Sequence, residues 1–140
     1  MALSPHRIVI LAPQPVSREA LRWALESEPD LQVVGEAADG QEAILEASSL
    51  HPEVVLLDDV VRSGIDVVSL THSLKAAPHP PAAIFLATSG DADVRRRFTL
   101  AGGDALVEKG AGWPALIAAI RAALAVRALR PAGQAGRGTG

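Results

Sequence analysis

The chain has 140 residues, enough for one domain with a proper core, and 49% apolar against 21% charged residues is the balance of a soluble globular protein. A net charge of −3 implies no general affinity for nucleic acid. The absence of cysteine excludes disulfides, zinc–thiolate sites and thiol catalysis.

Residues 1–6 read as a lead-in. Ile8-Val9-Ile10-Leu11-Ala12 is an apolar run of strand length, too short for a signal-peptide core, and Pro13-Gln14-Pro15 ends it. No stretch is long enough to span a membrane, so a cytoplasmic protein is expected. Pro15 suits the first turn of a helix, where its missing N–H costs nothing. Ala20, Leu21, Ala24 and Leu25 share one face of that helix, and Glu28-Pro29-Asp30 stops it. Leu31–Val34 reads as a strand and Gly35–Gly40 as a loop, with Asp39 placed to cap a helix carrying Ala43, Ile44 and Ala47 inward.

The central stretch is Pro52-Glu53-Val54-Val55-Leu56-Leu57-Asp58-Asp59. Four branched apolar residues without polar alternation describe a strand buried on both faces, as in a parallel sheet covered by helices. Two carboxylates then stand where the run stops. The carboxyl ends of parallel strands border the crevice where chemistry is done, so an acid there is a functional candidate; the competing reading is a turn cap. Val60–Gly64 reads as a loop. Val67, Leu70 and Leu74 define a third helix, ended by Pro78, Pro80 and Pro81. Ala83–Ala87 is a strand, followed by a helix with Val94, Phe98 and Ala101 inward and Gly102-Gly103 closing it. Ala105–Val107 is a short strand ending in Glu108-Lys109-Gly110. The last helix starts near Trp113-Pro114 and aligns Leu116, Ile117, Ile120 and Leu124; from Arg130 on, Pro, Gly and Ala suggest a flexible tail or linker.

Strands therefore begin near 8, 31, 54, 83 and 105, each followed by a helix, which is the connection parallel strands require. With right-handed crossovers the expectation is an α/β domain: a five-stranded parallel doubly wound sheet in the flavodoxin-like order 2-1-3-4-5, helices on both faces. The domain is expected over 7–127, with 128–140 as tail. A dinucleotide site and a P-loop are argued down, because Ala12-Pro13-Gln14-Pro15 offers no glycine for a phosphate to approach. His6, His51, His72 and His79 are scattered and read as exposed residues. Arg95-Arg96-Arg97 reads as a solvated helix face rather than a docking patch. Trp23 and Trp113 are either interface anchors or half-buried residues at helix boundaries.

Three segments in order carry a resemblance: Glu28 to Ala43, Pro52 to Asp58, and Ala101 to Lys109. Over residues 7–127 the chain resembles the receiver domain of LuxR/NarL-type two-component response regulators. The resemblance implies that Asp58 is the acceptor of a phosphoryl group from a sensor histidine kinase. It implies that Lys109 and a Ser/Thr after the fourth strand contact that group; counting from Pro80 gives Thr88, counting back from Ala101 gives Ala87. It implies Mg²⁺ held by an acidic pair, by Asp58 and by the backbone carbonyl of Val60. The acidic pair, however, falls on Ala12 and Pro13, the fifth-strand aromatic position is Leu106, and Asp59 reads as a solvated or capping acid. Mg²⁺ is therefore expected to be weak or absent. The leading expectation is an atypical receiver, phosphorylation at Asp58 impaired or lost, acting through protein–protein interaction rather than as an enzyme. The alternatives are a working phosphoacceptor switch and a pseudo-receiver sensing a small ligand; a flavin-dependent electron carrier ranks last. Partners expected are a kinase or another signalling protein, a second copy through the first and last helices or through the fourth helix, fifth strand and fifth helix, and DNA only through an effector domain that this stretch does not contain. Lys109 and Asp58 are expected to pair even without phosphate.

Overall fold

The computed structural model describes residues 4–58, 66–88 and 92–130. Five strands, β1 (His6–Leu11), β2 (Leu31–Ala37), β3 (Val54–Asp58), β4 (Ala82–Ala87) and β5 (Ala105–Glu108), form one sheet in the order β2-β1-β3-β4-β5, with every pairing parallel. Between and after them run α1 (Pro15–Glu26), α2 (Gly40–Leu50), α3 (Val67–Lys75), α4 (Ala92–Leu100) and α5 (Trp113–Ala128). The expected fold class and strand order are both present.

The unbroken apolar runs are explained by the two layers they serve. Side chains alternate across a strand. Ile8, Ile10, Val54, Leu56, Ile84 and Leu86 pack under α1 and α5 with Leu21, Leu25, Leu116 and Ile120. Their neighbours Val9, Leu11, Val55, Leu57, Phe85 and Ala87 pack on the other face, under α2, α3 and α4, with Ala43, Leu70, Leu74 and Phe98. Neither face of the central strands meets water, so neither needs polar residues.

Local signals hold where backbone chemistry is specific. Asp39 caps α2 by accepting from the Glu42 N–H at 2.9 Å, and Asp66 caps α3 by accepting from the Ser69 N–H at 2.8 Å. α4 closes on Gly102, whose φ is 104°, with Gly103 N–H donating to Phe98 O and Gly102 N–H to Thr99 O, a Schellman cap.

Four expectations need correction. His6 belongs to β1 rather than to a lead-in; its N–H donates to Asp30 O at 2.8 Å. Ala12 lies just past β1 rather than in it. β2 continues through Gly35, Glu36 and Ala37, where a loop was expected, because a register shift opposite Ile8 and Val9 makes Val34 an extra residue and lets pairing resume. Ala20 is exposed, so the buried stripe of α1 is Leu21, Ala24 and Leu25.

Candidate functional site at the carboxyl end of the sheet

Asp58 is the last residue of β3, and β3 lies between β1 and β4. It is only 3% exposed, the one acidic residue among the described buried ones. Strand alternation puts it on the same face as Leu56, the layer of α1 and α5. Lys109 opens a single 3-10 turn, Lys109–Ala111, directly after β5. Its Nζ stands 2.6 Å from Asp58 Oδ1, with the lysine side chain 39% exposed. A carboxylate taken out of water needs a partner of opposite charge, and this lysine supplies it. The expected pairing is thus present.

The loop after β1 carries no side-chain oxygen at Ala12 or Pro13, and its backbone carbonyls are engaged. Arg18 Nη1 donates to Ala12 O at 2.7 Å and to Pro13 O at 3.3 Å. Its guanidinium also stands 3.6 Å from Glu36, which takes a further bond from Arg22 Nε at 2.7 Å. A cation therefore already serves the loop where the metal-holding acids of a receiver would lie. Mg²⁺ asks for several oxygen ligands in near-octahedral order. Among the described residues no group of three His, Cys, Asp or Glu could hold a metal ion. Asp59 and Val60, the remaining candidates, lie outside the described residues. Glu108 is turned to other use: it is exposed and pairs with Arg95 of α4.

At the end of β4, Ala87 is buried in the layer that also holds Leu106, and Thr88 follows it, exposed. The hydroxyl–aromatic coupling of receivers has neither of its groups at Ala87 and Leu106. The four histidines form no site: His6 Nδ1 bonds Glu53 Oε2 at 2.8 Å, and His51 closes α2 in a left-handed conformation. Arg96 and Arg97 pair with Asp93 on their own helix, and with the Arg95–Glu108 pair they make the charged run part of a surface ion-pair network.

Three contributors were not legible as site residues. Ser17 and Trp113 meet the site only through the approach of α1 and α5, whereas Arg18 reaches the loop after β1 from the first turn of its own helix. A cavity of about 390 Å³ opens between the first turns of these helices, lined by Ser17, Ala20, Leu21, Trp113 and Leu116 beside Asp58 and Lys109. It lies on the α1–α5 side of Asp58. A second groove runs along the outer surface between Trp23 of α1 and Trp113, Ala118 and Arg121 of α5.

Residues 8–121 match the response regulator receiver domain family. The transcriptional regulatory protein LiaR of Bacillus subtilis is 33% identical over 87 residues, 62% of this chain and 41% of LiaR. A protein-glutamate methylesterase/protein-glutamine glutaminase of Myxococcus xanthus is 30% identical over 89 residues, 64% of this chain and 25% of the relative. The chain thus spans well under half the length of the curated relatives it matches. A LuxR-family two-component response regulator from Aurantimonas sp. SI85-9A1 superposes with a TM-score of 0.81 at 26% identity, covering 89% of this chain and 88% of that one.

Proposed function

We propose, because this chain belongs to the response regulator receiver domain family and is therefore a signal-transduction module, that it is an atypical receiver which acts through protein contacts while phosphorylation at Asp58 is impaired or lost. One observation carries the reading: the loop that would present two acids to Mg²⁺ presents Ala12 and Pro13, with the Arg18 guanidinium on their carbonyls. Each missing carboxylate removes an attraction for the divalent cation of about 8 kcal/mol, taking ~4 Å separation and an effective dielectric near ~20. The same positive guanidinium repels a divalent ion. Without that ion an incoming phosphoryl group meets the Asp58 carboxylate with Lys109 as its main electrostatic relief.

The test is incubation with millimolar Mg²⁺ and acetyl phosphate, read by intact mass, with beryllofluoride titration alongside. Little or no adduct is expected. Stoichiometric labelling that disappears in Asp58→Asn would establish instead the working switch. The Asp58–Lys109 pair favours that second reading. In it the P–N bond of a kinase phosphohistidine breaks, a P–O bond forms to an Asp58 oxygen, Lys109 takes up the added negative charge, and Thr88 donates to a phosphoryl oxygen. The methylesterase of the longer relatives is an activity of those proteins and is not assigned to this chain.

Receivers meet histidine kinases and other signalling proteins. For this chain a further partner is a second copy, seated on the α1–α5 face. Val16 is 73% exposed, Trp23 70% and Trp113 42%; large apolar groups gathered on one face mark an interaction site. Sedimentation over a hundredfold concentration range should show a monomer–dimer equilibrium, and Trp23→Asp should shift it to monomer. Monomer throughout would rule the α1–α5 dimer out. No described helix is long and apolar enough to cross a membrane, and the site proposed for these contacts is the cytoplasm.

A further inference from the structure

We infer that the cavity between α1 and α5 is a binding site for a small aromatic monocarboxylate. Its volume, about 390 Å³, is that of a small-molecule site, and its walls follow the usual plan of mostly apolar surface with few polar groups. Leu21, Leu86 and Leu116 supply aliphatic surface and Trp113 an aromatic face. A flat ring system is the body that such walls select, by area and by ring–ring contact.

The charge of the ligand follows from which charge is accessible. Asp58 and Lys109 both line the cavity, and the lysine side chain is 39% exposed against 4% for the aspartate. An entering molecule meets the ammonium first. An ammonium carries three N–H donors and one partner position is taken by Asp58 Oδ1, so capacity remains for one carboxylate. The Ser17 hydroxyl on the cavity wall is a second donor. No other cationic side chain lines the cavity among the described residues, which selects a monoanion over a phosphate ester or a nucleotide. Ala12 and Pro13 play no part, so the inference stands whether or not Asp58 accepts a phosphoryl group.

Trp113 gives the site a readout. It is the residue common to the cavity and to the outer groove with Trp23 and Arg121. It follows Lys109 by four residues, across the 3-10 turn and Gly112, whose φ of 89° starts α5. A ring stacked on its inner face therefore acts on the surface proposed for dimerisation.

The chain has two tryptophans, hence two indole N–H signals in a proton–nitrogen correlation spectrum; Trp113→Phe assigns them. Titration with 1-naphthoate should shift the Trp113 signal saturably, and naphthalene-1-methanol, its uncharged analogue, should bind at least about tenfold more weakly. Lys109→Met should bring the acid down to the affinity of the alcohol. Ala20→Phe, a substitution at an exposed position that leaves Asp58 and Lys109 in place, should fill the cavity and abolish the shift. No saturable shift up to about 10 mM, weaker than any specific small-molecule site, would overturn the inference. Unchanged binding in Ala20→Phe, or equal affinity for the acid and the alcohol, would do so too. The mass-labelling experiment on Asp58 reads a different event, so either result can fail without the other.

Discussion

At the scale of single residues, the site turns on a carboxylate removed from water. Replacing Lys109 by alanine strips the buried Asp58 of the cation beside it. Breaking such a pair from the exposed side should cost about 2–3 kcal/mol, read as a lower urea midpoint with unchanged slope. Asp58→Asn should cost less, because the released lysine is partly exposed and can return to water. A larger loss for Asp58→Asn than for Lys109→Ala would show that the burden lies elsewhere. This pair was legible in the sequence because both residues stand at carboxyl ends of strands. Arg18 was not: its bonds reach back around the first turn of α1, and nothing in its spacing distinguishes it from a solvated helix arginine.

A second residue-scale effect lies at the opposite end of the sheet. Arg121 of α5 donates to both Asp30 oxygens, at 3.1 and 2.7 Å, and to Glu28. The Arg121 hydrogen bond holds the Asp30 carboxyl below its ordinary range. A depressed folded-state value means that the clamp contributes fully above the unfolded carboxylate value of about 3.9 and is lost as pH falls below it, through the folded value. Asp30→Asn should therefore lower the melting temperature at pH 7, and the difference from the parent should shrink as pH falls below the unfolded carboxylate value of about 3.9. A difference independent of pH would show that the loss is packing, not charge.

Among the elements, the helix ends and the central strands were readable because their chemistry is local. Pro15, Asp39 and Gly102 each fix a backbone geometry with their own atoms. The length of β2 was not readable, since Gly35 and Glu36 look like turn residues. A Cβ on Gly35 would come within 2.7 Å of Leu50 Cδ1, so a side chain there would push the half-buried Leu50 tip of α2 aside. The two glycines after α4 divide their tasks in the same way. Gly102 supplies a left-handed conformation, whereas a Cβ on Gly103 would lie 2.3 to 2.6 Å from ring atoms of Phe98. Phe98 is buried and its ring meets Phe85 at 5.5 Å between centroids, so it has no room to retreat. Gly103→Ala should destabilise by about 1–3 kcal/mol, with accelerated unfolding as the check; a neutral result would mean that α4 shifts freely over the sheet.

For the molecule as a whole, strand spacing determined the sheet order, because each parallel crossover needs a helix and right-handed connections leave few arrangements. The cavity lay beyond that reasoning. It depends on how closely the first turns of α1 and α5 approach, a distance that no run of residues encodes. The same topology sets a polarity. β1 begins at its lower edge with His6, and α5 returns to that edge, where Arg127 Nε donates to Pro80 O at 3.2 Å and Arg130 stands 3.6 Å from Asp104. Both described ends of the chain are thus anchored about one strand length, ~17 Å, from the Asp58 crevice. A surface tether, fluorophore or fused reporter attached at either place would leave the crevice facing open solution. Pulling on the two ends together would load the lower edge before it disturbed the Asp58–Lys109 pair.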